Sequence, residues 1–306
     1  MEKRRIGALE VSAVGLGCNN FGRRIDEAAS ARVVHAALDA GVNFFDTADV
    51  YGGSHSEEFL GRALAGRRDR AIVATKFGLP VEPAGWRGAS PDHLRRAVED
   101  SLRRLGTDHI DLYQLHRPDP DTPVEDTLEA LDGLVRAGKV REIGCSNFSA
   151  QQLRAAQCAV RPGAACFVSV QNHYNLLHRE PEYDVLPECA RAGMAFLPYF
   201  PLASGLLSGR FRRGEPAPEG SRFVSGGWAA SLYTDANLAR VEALRQFAAG
   251  SGHSLLELAI CWLLAHHVVA SVIAGASTPE QVQANVAAAH WHLMSEDLAE
   301  IDRILA

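Results

Sequence analysis

Four side chains of different chemistry stand where apolar runs of this 306-residue chain end. Asp46 closes a run that begins at Val42, and Tyr51 follows it in a turn with Gly52. Lys76 closes the next run and His116 the one after. A carboxylate, a phenol, an ammonium and an imidazole brought to one point make a set for moving a proton. When a carbonyl accepts a hydride, its oxygen becomes an alkoxide and needs a proton donor nearby. A phenol can serve, and a neighbouring ammonium makes it a better acid than its ordinary pKa of about 10 allows. Lys76 is placed to do this, with Asp46 holding it charged and oriented and His116 orienting the carbonyl oxygen. Each residue also has an ordinary use. A strand-end Asp caps helices, a strand-end Lys is a rim charge, and a lone His is a hydrogen-bonded core residue. Lys76 further suits Schiff-base chemistry of the aldolase kind if it is desolvated.

The elements that position these groups are legible as a rhythm. Short apolar runs recur at 13–17, 42–46, 71–76, 110–116, 142–146, 168–172, 195–199 and 270–273, which makes eight. Amphipathic helical stretches lie between them, with start signals at Ser90-Pro91, Thr122 with Glu125, Ser149 with Gln152 and Ser254 with Glu257. Continuous apolar strands alternating with capped helices imply a parallel sheet covered on its outer face. Eight such units predict one closed α/β barrel, a (β/α)8 TIM barrel spanning residues 1–306 as a single domain. A doubly wound sheet is the alternative, but the first run leads to Gly15, Gly17 and Gly22, without G-x-G-x-x-G spacing. A short N-terminal hairpin is expected around Gly7. The stretch 204–234, rich in Gly, Pro, Ser and Arg, is read as a lid over the strand ends, with a disordered insertion as the other reading.

Composition narrows the partners. Net charge is −6 with no long run of one sign, which gives no nucleic-acid surface and no polybasic membrane patch. No apolar stretch is long enough to cross a bilayer, and no hydrophobic signal region follows the charged start. Six cysteines without a CxxC pair and twelve histidines without HExxH spacing predict neither a disulfide framework nor a metal site, and fit a reducing cytoplasm. The expected partner is a small carbonyl compound. Oligomeric state is open.

Taken in order, the motifs resemble those of the aldo-keto reductase family. They are Asp46-Thr47-Ala48 with Tyr51-Gly52, Ser56-Glu57 and Leu60-Gly61; Lys76; Asp111 through His116 with Pro118-Asp119; Gly144 through Phe148; Gln171-Asn172 with Tyr174-Asn175; Pro201-Leu202 with Gly205; and Gly275-Ala276-Ser277. The resemblance covers nearly the whole chain. It implies a catalytic tetrad of Asp46, Tyr51, Lys76 and His116 with Tyr51 as proton donor, and NADPH/NADP+ as cofactor. It implies that Ser146, Asn147 and Gln171 hold the nicotinamide carboxamide and that Tyr199 stacks on the ring. The segment through Pro201, Leu202, Gly205 and Arg210 would cover the pyrophosphate, with Arg210 as a phosphate partner. Gly275 admits close backbone approach, and Thr278-Pro279-Glu280-Gln281 reads as a helix start suited to an anion. Ser277 would meet the 2'-phosphate, and Gln281 with Asn285, four apart on one helix face, the adenine.

Two features depart from the family pattern. Phe200 follows the stacking aromatic where many members have Ser. No Arg or Lys stands near Ser277-Thr278, as in the potassium-channel beta-subunit branch, so an NADPH-sensing binding subunit with slow turnover is the alternative function. The substrate pocket is expected to draw on Asn19, Phe21, Trp86, Phe200, Trp228 and Tyr233, an aromatic wall suited to a hydrophobic or ring-bearing carbonyl.

Overall fold

The computed structural model describes residues 1–81, 87–218, 221–224 and 227–306, so Trp86 lies outside the described residues, as does the side chain of Trp228. Two short strands, β1 (Lys3–Ile6) and β2 (Leu9–Ser12), form the expected antiparallel hairpin. Its Ile6, Leu9 and Val11 pack in one cluster with Phe44, Ala74, Leu112 and Leu197 of the barrel interior, so the hairpin plugs the floor.

Eight parallel strands follow: β3 (Val14–Gly17), β4 (Phe44–Asp46), β5 (Ile72–Phe77), β6 (Ile110–Leu115), β7 (Val140–Ser146), β8 (Phe167–His173), β9 (Ala195–Tyr199) and β10 (Val272–Gly275). They pair in chain order, with β10 beside β3. Phe196 of β9 bridges Val269, just ahead of β10, and completes the circuit. The helices are α1 (Glu27–Asp39), α2 (His55–Ala63), α3 (Pro91–Leu105), α4 (Val124–Arg136), α5 (Ala150–Ala159), α6 (Val185–Ala192), α7 (Asp235–Gly250), α8 (Leu255–Ala265), α9 (Pro279–Ala287) and α10 (Ser295–Leu305). Among the described residues no single helix is long and apolar enough to cross a membrane. α7 and α8 pass that test only as a pair bent by 91°, and eight of the eleven residues of α8 are buried in the core.

Strand residues point alternately inward and outward. Inward Phe44 therefore puts Asp46 inside as well, and Ala74 does the same for Lys76, Leu112 for Gln114 and Leu197 for Tyr199. Helix starts mostly obey their sequence signals. Capping boxes form at Ser149–Gln152 and Ser254–Glu257, and Ser90 accepts from the His93 amide. The Thr122–Glu125 box does not form. Pro123 takes the cap position, and the Thr122 hydroxyl donates to Asp119 at 2.7 Å, a nearer acceptor in its own loop.

The connection after β9 is packed against the barrel mouth. Its Phe211 and Phe223 are buried, their ring centroids 5.0 Å apart, and Tyr233 lies 5.4 Å from Phe223. Arg222 reaches across the mouth and donates to Asn20 Oδ1 at 2.8 Å, on the loop after β3. Two of the expected pocket aromatics are thereby corrected: Phe21 is fully buried in the core, and Tyr233 packs within this connection.

Candidate active site

The C-terminal ends of the strands open into a cleft of about 1230 Å³. At its base Lys76 Nζ donates to Asp46 Oδ2 at 2.6 Å and to the Thr47 carbonyl at 2.9 Å. Lys76 is 0% exposed. The other Asp46 oxygen accepts from Gln171 Nε2 at 2.8 Å and Gln114 Nε2 at 3.2 Å. A buried ion pair repays its desolvation only when its remaining lone pairs are satisfied, and here they are.

Tyr51 sits beside this pair, with Lys76 Nζ 5.2 Å from its ring centroid. Its ring meets that of His116 edge-on at 5.9 Å. The turn that brings Tyr51 here needs glycine at the next position. Gly52 has φ +59°, and a Cβ there would stand 2.2 Å from the Phe21 carbonyl.

Protonation states follow from burial and neighbours. Burial alone would push the Lys76 ammonium down, but Asp46 and Tyr51 outweigh it and hold Lys76 above its ordinary value. A Schiff-base lysine must shed its proton, so this environment opposes that chemistry. Burial pushes the Tyr51 phenol above 10, against the opposing pull of Lys76. Lys76 acts in the expected direction, favouring the phenolate, but burial outweighs it and the net shift is upward. Burial, with Lys76 and Arg117 adding like charge, drops His116 to about 3, so its imidazole is neutral. Its Nδ1 has no hydrogen-bond partner among the described residues.

Around this base, Ser146 Oγ donates to the Gln171 carbonyl at 2.7 Å. Asn147, at φ +61°, donates to the His116 carbonyl at 2.9 Å and accepts from the Tyr199 hydroxyl at 2.9 Å. The Tyr199 ring is backed by His173, its register partner across β8 and β9, at 5.4 Å with an interplanar angle of 11°. Pro201, Leu202, Gly205 and Arg210 line the cleft next. Backbone here is held at positive φ at Phe200, Ala203 and Ser204. Such outliers cost on the order of 1–3 kcal/mol each and cluster at ligand clamps. Gly275, Ser277, Gln281 and Asn285 line the far end. Gln281 accepts from the Ser277 amide at 2.8 Å, and Asn20 donates to Ser277 Oγ at 3.2 Å.

Every site residue read from the sequence thus borders this cleft except Lys76, which lies enclosed behind it. Asn19 and Phe200 of the expected pocket also line it. Sequence reasoning missed Gln114, Asn20, Arg23, Arg24, Arg117, His173 and Arg222. Period-two alternation from Leu112 would have found Gln114, and the strand-end rule would have found Asn20 and Arg117. Arg222, inside a stretch with no period, left no signal. Among the described residues no group of His, Cys, Asp and Glu could hold a metal ion.

A sequence profile described as "Aldo/keto reductase family" matches residues 13–306. The chain is 36% identical to aldo-keto reductase YhdN of Bacillus subtilis, covering 97% of this chain and 91% of that protein. It is 34% identical to a probable voltage-gated potassium channel subunit beta of Oryza sativa, covering 94% and 91%. The structure superposes on the glycerol dehydrogenase of Gluconobacter oxydans with a TM-score of 0.86 at 33% identity, covering 99% and 95% of the two chains.

Proposed function

This chain belongs to the aldo/keto reductase family and is an oxidoreductase, and from that premise we propose that it reduces an aldehyde or ketone to an alcohol with NADPH, Tyr51 giving the proton. The observation that carries the reading is the chain of contacts at the cleft base: Asp46 fixes Lys76, and Lys76 faces Tyr51, beside a neutral His116.

When bound, the reduced nicotinamide supplies the hydride. Tyr51, held protonated by burial, supplies the proton to the carbonyl oxygen. Lys76 stabilises the phenolate that remains, and Asp46, pinned by Gln114 and Gln171, keeps Lys76 charged and in place. Neutral His116 orients the oxygen by hydrogen bonding and does not compete as an acid at neutral pH.

The cleft wall fits such a nucleotide. The strained segment from Phe200 to Gly205 lines the cleft, and a Cβ on Gly275 would meet nothing nearer than 3.7 Å, which leaves room for close approach. Ser146 and Asn147 would hold the carboxamide. The Gln171 amide nitrogen is engaged on Asp46, so Gln171 meets that group as an acceptor. Tyr199 presents its face to the ring, and Arg210 with Pro201, Leu202 and Gly205 takes the pyrophosphate. Ser277 takes the 2'-phosphate, with Arg222 supplying the cation that α9 lacks, while Gln281 and Asn285 reach the adenine. Six free thiols, two of them exposed, suit the reducing cytoplasm in which we place the reaction.

The likeness to the rice channel subunit supports a second reading, an NADPH-sensing binding subunit with slow turnover. One assay separates them: NADPH oxidation followed by absorbance over a panel of aldehydes, ketones and sugars. Turnover of about 1 s⁻¹ or faster on some member supports the reductase. A single slow turnover with all of them supports the sensor.

A further inference from the structure

Five arginines line the cleft, Arg23, Arg24, Arg117, Arg210 and Arg222, and its one carboxylate among the described residues, Asp46, is already paired with Lys76. The chain as a whole carries −6, so this basic wall is not its general background. Several arginines elsewhere are paired with carboxylates: Arg68 with Asp111, Arg104 with Glu57, Arg154 and Arg191 with Glu188. Among the described residues the side chains of Arg23, Arg24 and Arg117 make no ion pair or hydrogen bond.

A dinucleotide does not account for all five. Arg210 and Arg222 stand toward its pyrophosphate and 2'-phosphate in the reading above. Arg117 follows His116 directly in the chain. Arg23 and Arg24 sit on the loop whose Gly22 packs on Gly52, the residue after Tyr51; a Cβ on Gly22 would lie 3.1 Å from the Gly52 carbonyl oxygen. These three arginines border the same cleft as the phenol and imidazole that face the carbonyl, and the charge of Arg117 bears on His116 and Tyr199. Arg222 records the crowding: burial, then the like charges of Arg24 and Arg23, lower its guanidinium from the ordinary value. A cluster of one sign in a cleft focuses its field on incoming ions, and guanidinium forks match carboxylate and phosphate oxygens.

Resting on the carbonyl-reduction reading, we propose that the substrate is an anionic carbonyl compound, a phosphate ester or carboxylate, whose charged group is held by Arg23, Arg24 and Arg117 while its carbonyl faces Tyr51 and His116. Of the aromatic wall expected from sequence, Phe200 is the one described aromatic that lines the cleft, beside Tyr51, Tyr199 and Phe211.

The test compares matched pairs: glycolaldehyde phosphate against glycolaldehyde, and 4-carboxybenzaldehyde against benzaldehyde, in the native protein and in R23Q/R24Q/R117Q. The native kcat/KM should favour the anionic member of at least one pair by about tenfold or more, the scale of one charge-assisted hydrogen bond. That preference should shrink in the variant and with added salt. Equal values within both pairs overturn the proposal, as does a variant that raises the KM for NADPH but keeps the native ratio. A second readout needs no turnover: calorimetric titration of 2-phosphoglycolate into the protein, with and without NADP+. Binding that the variant weakens by about tenfold or more supports the site, and no binding to the native protein overturns it. If no aldehyde is reduced yet 2-phosphoglycolate binds and the variant loses it, the reduction reading fails and the anion site stands.

Discussion

Two buried carboxylates mark the two ends of the barrel, and their surroundings differ in one respect. Asp111, at the N-terminal end of β6, accepts from Arg68 at 2.6 Å, Arg141 at 2.9 Å and the Val73 amide at 2.9 Å. Asp46, at the C-terminal end of β4, accepts from Lys76, Gln171 and Gln114. Both are compensated. The cations of Asp111, however, run out to water, with the Arg68 and Arg141 side chains 22% and 56% exposed. The cation of Asp46 is enclosed and turned toward a phenol and an imidazole that border a cleft. An ion pair that ends in solvent tethers strands. One that continues into a phenol and an imidazole bordering a cleft, at the strand ends where barrels keep their chemistry, is set up to act on something else.

Lys76→Met should separate the two ends most sharply. Asp46 is left buried without its cation, which costs about 3–5 kcal/mol of stability. Turnover should fall by about 10³-fold or more as the phenolate loses its counter-charge. Denaturant titration and NADPH oxidation check the two parts. Lost stability with retained turnover would make Asp46 no different from Asp111. The companion is Asp111→Asn, with partners partly in water, for which we expect about 2 kcal/mol of destabilisation and kcat/KM changed by less than about twofold. A large loss of activity there would erase the distinction.

A third carboxylate sharpens it. Asp49, three residues from Asp46, is buried with no partner on either oxygen among the described residues. Burial, then Glu57, raises it to about 8. The folded state keeps this proton up to that pH, while the unfolded chain releases it near 4, so native stability falls as pH rises between those values, by up to about 1.4 kcal/mol per unit. Asp49→Asn removes the penalty. The Tm advantage of the variant should widen from pH 5 to pH 8, and a constant difference would mean that Asp49 is ionised in the fold. The smallest effect is expected at the far end of the cleft. Ser277→Ala should lower the kcat/KM preference for NADPH over NADH by about threefold to tenfold, one hydrogen bond's worth, since Arg222 remains. An unchanged ratio moves the preference to Arg222.

The barrel and the floor of its site were legible because both follow from local rules. Alternation carries Phe44 to Asp46 and Ala74 to Lys76, and a strand that stops at a polar residue advertises a rim. The sign of the Tyr51 shift was not legible, since burial depends on what His116 and the loops bring around the ring. Nor was the arginine wall. Arg222 reaches Asn20, 202 positions away in the chain, through a segment held by the packing of Phe211, Phe223 and Tyr233, and no periodicity encodes that contact. The Thr122 cap failed for a similar reason, a competing acceptor at Asp119 that spacing alone does not rank.

The central claim is that Tyr51 is the proton donor of a nicotinamide-dependent reduction, and Tyr51→Phe tests it most directly. The change removes one oxygen and keeps the ring against His116. Single-turnover reduction by NADPH, read by stopped-flow absorbance, should slow by about 10²–10⁴-fold, while the Kd for NADPH, read by fluorescence titration, stays at the native value. Because burial lifts the phenol above 10 and leaves His116 neutral, the native rate should also be level across neutral pH. A near-native single-turnover rate in Tyr51→Phe would contradict the account.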